Sequence, residues 1–343
     1  MMRNQMIKEH LNINLHRAAN ATGKTLMSNF LNYSRLRVAL VLSSLLLIGL
    51  LVAPFASADE PASQQAFPSP DAAAKALVVA DRADDMKALG SILGPDADQV
   101  LSSGDPVADK NARDDFARRY DEMHRFEYDD QGRVILYIGA GNWPVPIRLV
   151  KKVDGWVFDT AAGKDELLYR RIGRNELFTI KVLENLADAQ TEYASDAHDG
   201  EGPGLYARKI LSDIGKQNGL YWETAEGQPE SPIGPLVASA TAAGYRKGTG
   251  GNPVPFHGYY YKVLTKQGRN APDGAMNYLV DGKMTKGFAF LAYPAEYRAS
   301  GVMTLMINQD GVIVQKDLGA DTTKMADAID VYNPDKTWQE VDE

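Results

Sequence analysis

Apolar and polar positions along this chain follow two rhythms, and the change between them lies near Pro253. From Pro253 to Gly319 the period is two. Tyr259, Tyr261 and Val263 share one face of a strand, and Tyr260, Lys262 and Leu264 share the other. Four segments are rich in aromatic and β-branched residues: Tyr259–Thr265, Met276–Val280, Gly287–Tyr293 and Val302–Ile307. A fifth, Val312–Lys316, follows Asp310-Gly311. Loops with Gly, Pro and Asp separate them, which predicts an antiparallel meander. Both alternating sets of Val302–Asn308 are apolar, so this strand is expected at the sheet centre, covered on both sides. A helix over Asp321–Val331, with Trp338, is expected to cover one face.

Upstream the period is helical. Pro70-Asp71 predicts a helix start, with the acid favouring the N-terminus. Ala76, Val79, Ala83 and Met86 form the expected inward stripe, Asp81, Arg82 and Asp85 face away, and Gly90 and Gly94-Pro95 stop the helix. A second helix is predicted over Asn111–His124, with Ala112, Phe116, Tyr120 and Met123 on one stripe. Arg133–Ile138 reads as a strand. Ile147–Val153 and Trp156–Phe158 read as a hairpin around Asp154-Gly155. A helix from about Lys164 to Tyr193, bent at Gly173, follows. Leu205–Gly215 and Leu236–Ala243 are expected as short helices within a Gly- and Pro-rich stretch, and Gly219–Trp222 as an aromatic anchor. The fold class is therefore α+β: N-terminal helices with a small antiparallel, cone-like sheet, then a C-terminal antiparallel β-meander with a covering helix. The corresponding division is a signal and upstream tail (1–58), a flexible leader (59–69), an α+β domain (70–195), a connection (196–252) and a sheet domain (253–343).

The first segment breaks both rhythms. Val38–Val52 is uniformly apolar, is led by Arg35 and Arg37, and is followed by Ala56-Ser57-Ala58. A basic flank, an apolar core and a small-x-small site make a secretory signal, with cleavage expected after Ala58 and a retained inner-membrane signal anchor as the alternative. The run is shorter than the roughly 20 residues a spanning helix needs, so no stable membrane span is expected after cleavage. Internal methionines such as Met27 are candidate starts. Residues beyond Ala58 carry 31 basic and 44 acidic side chains, a formal charge of −13. That balance argues against nucleic acid as a partner and suits a periplasmic or secreted protein. Cysteine is absent, which excludes disulfides, thiolate nucleophiles and lipid attachment at cysteine.

Candidate chemistry is sparse. Asp196, Asp199 and Glu201 lie in Asp-Ala-His-Asp-Gly-Glu-Gly, a spacing that can wrap calcium, although a closing bidentate ligand is missing and a solvated acidic turn has the same composition. Arg171, Arg174, Asn175 and Glu176 crowd one helical turn. Asn175 and Glu176 are candidates to line a pocket, and an Arg–Glu surface pair is the commoner meaning of such a turn. His257 with Glu296 is a candidate acid–base pair. Tyr259, Tyr261, Tyr293 and Tyr297 are candidates for a stacking surface, or for ordinary sheet packing. His124, alone at a helix end, reads as structural. There is no Gly-x-Ser-x-Gly elbow, no His-Glu-x-x-His and no phosphate-binding loop. The reading is of an exported binding module without assembled catalysis, whose partner is an envelope protein or a small ligand. Two alternatives stand: a carboxylate-using hydrolase, or a ligand-binding cone lined by Trp156, Phe158 and Leu183.

Pro255–Thr265 (PFHGYYYKVLT), Lys286–Tyr297 (KGFAFLAYPAEY) and Ser300–Gly319 (SGVMTLMINQDGVIVQKDLG) resemble a secreted bacterial family of unknown function, DUF2950. Gly215–Trp222 and Arg170–Leu177 are similar to the same family, so the resemblance covers nearly the whole mature chain. It implies an exported bacterial protein and brings no catalytic residues. More loosely, the N-terminal element order is like cone-shaped domains of the nuclear-transport-factor-2 type. The last block is similar to the sheet region of pilin-like proteins, without the Gly-Phe-Thr-Leu junction of a pilin.

Overall fold

A computed structural model describes residues 64–246 and 253–341. The predicted signal and its cleavage site lie outside the described residues. Mixed α+β architecture is present as expected, with two five-stranded sheets and two two-stranded ribbons among the described residues.

The first half opens with helices α1 (Pro70–Ala83) and α2 (Met86–Leu93), a single turn α3 (Ala97–Leu101) and α4 (Pro106–Glu122). Its sheet follows, from β1 (His124–Tyr128), β2 (Val134–Ile138), β3 (Trp143–Pro144), β4 (Leu149–Lys152) and β5 (Gly155–Phe158). β2 is central, pairing with β1, β3 and β4, and the β4–β5 hairpin turns where Asp154-Gly155 predicted. Helix α5 (Thr160–Ser195) then runs unbroken for 36 residues, through Gly173. Gly163 lets it lie against the sheet, since a Cβ there would sit 2.6 Å from Ile147 Cα. Phe67 exchanges both backbone hydrogen bonds with Trp156, so the chain already pairs with β5 ahead of α1.

Three details differ from the sequence expectation here. Asp84 adopts a left-handed conformation (φ 51°), which ends α1 and restarts the chain as α2. The true inward face of α1 is Ala73, Ala74, Leu77, Val78 and Ala80 together with Asp81, while Val79 and Met86 are exposed. Helix α4 begins five residues earlier than read, because Asp105 caps it and Pro106 occupies its first turn. His124 opens β1 rather than closing a helix, its ring stacked 3.8 Å from that of Tyr120.

The second half is built on β6 (Tyr259–Leu264), with the short ribbons β7 (Lys266–Gln267), β8 (Met276–Asn277), β9 (Leu279–Val280) and β10 (Lys283–Met284). Then come β11 (Ala289–Pro294), β12 (Met303–Asn308), β13 (Val314–Asp317) and β14 (Gln339–Glu340). The main sheet has the order β14-β13-β12-β11-β6, antiparallel throughout, so β12 is central as its two apolar faces predicted. Met276–Val280 is not one of its strands. The segment divides between the ribbons β7–β8 and β9–β10, which decorate the connection from β6 to β11. Helix α5 packs on β11 and β12, and helix α7 (Thr322–Asp327) packs on β11. Between the halves, helix α6 (Gly234–Ala242) forms close to its predicted place. Leu205–Gly215 does not form a helix. The Gln190 amide instead holds Ala207 from both sides, accepting from its N–H and donating to its C=O at 2.8 Å each. Among the described residues no helix is long and apolar enough to cross a membrane.

Candidate ligand cavity and the hydrogen-bonded knot beside it

A cavity of about 510 Å³ lies in the first half, between α1, α4, the sheet and the first part of α5. Its floor is apolar and buried, with Leu77, Leu93, Ile138, Val145, Ile147 and Phe158. Phe116, Trp143 and Leu167 continue the wall. A pocket of this size with mostly apolar walls and a few polar groups is the usual form of a small-molecule site. Of the three residues expected to line such a pocket, only Phe158 does so. Trp156 packs with Phe67 in the adjoining core, and Leu183 belongs to the C-terminal core.

Eight charged side chains also face the cavity, five arginines and three aspartates. Asp81 is the deepest, 6% exposed, and among the described residues its carboxylate has no hydrogen-bond partner. Burial pushes its pKa up to about 7; Arg113 pulls against that shift, and Asp114 and Asp84 add to it. Arg113 donates from Nη2 to Asp84 Oδ1 at 2.6 Å, but its Nε is buried without a partner. Arg119 pairs with Asp115 at 2.7 Å. Arg170 pairs with Glu166 at 2.8 Å, donates to the Pro144 carbonyl and lies 5.1 Å over the Trp143 ring. Arg171 donates to the carbonyls of Val100 and Ser102. Burial holds its guanidinium below the usual arginine range, against the pull of Asp109 and with the help of the nearby Arg174. Arg174 is exposed at the rim. Asp109 accepts the Ser103 N–H at 2.9 Å.

Next to Arg174 on α5, a knot of buried polar groups ties the two halves together. Asp105 is fully buried. Its Oδ1 caps α4 by accepting Ala108 N–H at 3.0 Å, and its Oδ2 accepts the Tyr245 hydroxyl at 2.9 Å and Gly258 N–H at 2.8 Å. The Tyr245 hydroxyl accepts His257 N–H at 3.1 Å, and burial, reinforced by Asp105, pushes the phenol pKa far up. His257 (φ 50°) and Gly258 (φ 80°) take the two left-handed positions of a tight turn closed by Phe256 and Tyr259. Only glycine fits the second: a Cβ there would meet Asn175 Nδ2 at 2.6 Å. Asn175 in turn donates to the Ser300 carbonyl at 2.9 Å.

The sequence candidates fall around this knot in structural rather than exposed roles. Glu176 makes no pair with the arginines. Its Oε1 accepts the N–H groups of Val302 and Met303 at 2.9 and 3.0 Å, anchoring α5 to the start of β12; burial raises its pKa and those two bonds oppose the rise. The His257 ring lies 3.8 Å from that of Phe178, and burial depresses its pKa, with Asp105 opposing and Arg174 adding. No hydrogen bond joins His257 to the exposed Glu296 among the described residues. Tyr259 is fully buried and donates to the Met303 carbonyl at 3.0 Å. Tyr261 donates to Thr179 Oγ1 at 3.3 Å, Tyr293 to Asp327 at 2.8 Å and Tyr297 to Asp317 at 3.2 Å. The acidic loop disperses: Asp196 caps the end of α5, Asp199 accepts Gln217 N–H at 2.9 Å and Glu201 pairs with Lys283. Among the described residues no group of three or more His, Asp or Glu side chains is placed to hold a metal ion.

The cavity left no trace in sequence periodicity, because a stripe of apolar residues reads the same over a filled space and an empty one. Its one legible sign was the unusual density of charge at Arg170–Glu176.

Fold and site together define an α+β protein with a ligand-sized hollow in its first half and a packed sheet core in its second, beside which an open depression is lined by residues 208–214, Tyr261 and Val263. The model of a family described as a protein of unknown function, DUF2950, matches residues 64–341, and the chain belongs to that family. No curated protein and no solved structure matches the chain.

Proposed function

We propose that this is an exported, non-catalytic binding protein that holds a small, largely apolar molecule in the cavity of its first half. The cavity itself supports this reading: about 510 Å³ of space, open at a rim that carries Ala112 and Arg174 and walled inside by buried Leu77, Ile138, Ile147 and Phe158. The reading favours this cavity over the C-terminal sheet as the binding element, because Tyr259 and Tyr293 bond inward and the depression beside Tyr261 is shallow and open. Export rests on the signal-like leader and the acidic charge. The test is titration with N-phenyl-1-naphthylamine, a neutral apolar dye that fluoresces when shielded from water. We expect saturable binding that is abolished by Ala112→Trp, a substitution at an exposed residue on the cavity edge. Binding that Ala112→Trp leaves unchanged places the dye elsewhere and defeats the proposal.

A further inference from the structure

Resting on that reading, we propose that Arg171 and Arg174 form an anion subsite at the mouth of the cavity, so that its ligand is an amphiphile with a carboxylate head and an apolar tail. Both side chains line the cavity. They lie three residues apart on α5, hence on one helical face and one turn from each other.

Their state of neutralisation sets them apart from the other arginines of the wall. Arg113, Arg119 and Arg170 each hold a carboxylate, from Asp84, Asp115 and Glu166. Among the described residues Arg171 and Arg174 hold none. Arg171 bonds only two backbone carbonyls, and the nearby Asp109 and Glu296 carboxylates favour its charge without forming an ion pair with it. Two guanidinium groups close enough to disfavour each other's charge, one of them desolvated, are costly in the empty protein. That cost is conspicuous in a chain with an acidic excess of 8, where carboxylates are plentiful. A ligand carboxylate offsets it by accepting from both forks, the geometry for which guanidinium is best suited. Asp81 at the opposite, buried end disfavours an anion there, so charge orients the molecule with its head toward α5 and its tail among Leu77, Ile138 and Phe158.

The experiment compares dodecanoate with dodecanol, which share a tail and differ in head charge, by calorimetric titration of the folded protein at pH 7.5. Dodecanoate is expected to bind at least tenfold more tightly, and Arg174→Glu to erase that preference while dodecanol affinity is kept. Arg174 is exposed and makes no internal bond among the described residues, so thermal melting of this variant is expected to match the parent. Arg174→Lys, which keeps the charge, is expected to restore part of the preference. Equal affinity for the two probes, or a preference that survives Arg174→Glu, overturns the anion subsite and leaves the cavity reading standing. Failure of both probes to bind overturns the cavity reading with it.

Discussion

The two halves of the molecule treat buried charge differently, although among the described residues each leaves polar atoms without a partner, Arg113 Nε and the Tyr120 hydroxyl in the first, the Ser231 and Thr304 hydroxyls in the second. In the C-terminal sheet every residue of β11 is buried, and the phenols of Tyr259, Tyr278 and Tyr293 donate to Met303, Gln267 and Asp327. In the first half Asp81 is buried and makes no ion pair, Arg113 has an orphaned Nε, and Arg171 and Arg174 make no ion pair among the described residues. Buried polar groups are normally satisfied because leaving them unpaired costs about 1–3 kcal/mol each. What sets the first half apart is that its unpaired charged groups line a void, the arrangement the proposed ligand reading requires.

The sharpest way to break this contrast is to remove mass from the solid half. Phe290 is fully exposed to neither solvent nor cavity, at 0% accessibility in the middle of β11. Phe290→Ala is expected to cost about 3–5 kcal/mol in urea-induced unfolding, because a core packed on both faces cannot collapse onto the gap. A cost near zero means that this sheet is loosely packed, and the contrast fails. Asp81→Asn probes the hollow half and should have the opposite sign. The folded pKa of Asp81, about 7, stands above its ordinary value of 3.8. The folded state therefore binds more protons than the unfolded state between those values, and stability is lost as pH rises through that window. The groups that set the shift are Arg113 and Asp114 on α4 and Asp84 at the end of α1, with Asp109 and Asp115 on the same cavity wall. Asp81→Asn should thus stabilise the empty protein increasingly from pH 4 to pH 7 and level off above, by up to about 4 kcal/mol at pH 8 relative to pH 4. A pH-independent effect removes the claim that Asp81 is buried unneutralised.

The solid half was the legible one. Alternation at Tyr259–Leu264 and Val302–Asn308 reports burial on a pleated surface directly, and the Asp154-Gly155 turn reports its hairpin, because both are local rules. Met276–Val280 satisfied the same local rule and still lies outside the main sheet, since two or three residues of alternation fit a ribbon equally well. The hollow half was harder to read. A single left-handed residue, Asp84, ends α1, so a stripe read through to Met86 took the wrong phase and turned Asp81 outward. The position of Glu176 on the helix predicts an arginine partner, whereas the start of a strand more than a hundred residues away supplies its real donors. Long-range pairing of that kind has no counterpart in periodicity.

The finest test concerns a polar group on the cohesive side. Tyr261 reaches from β6 to α5, where its hydroxyl donates to Thr179 Oγ1 at 3.3 Å, and Thr179 is fully buried. Tyr261→Phe keeps the ring and removes only the hydroxyl, leaving the threonine oxygen without its donor. The expected loss is about 1 kcal/mol, independent of pH between 4 and 8, since the phenol pKa is pushed far above that range by burial. Set beside Asp81→Asn, it makes the contrast a matter of sign: removing a satisfied hydroxyl weakens the sheet half, and neutralising an unpaired carboxylate strengthens the cavity half. If Tyr261→Phe stabilises the protein instead, satisfied polarity is not what distinguishes the two regions, and the hollow half loses its claim to be the site prepared for a ligand.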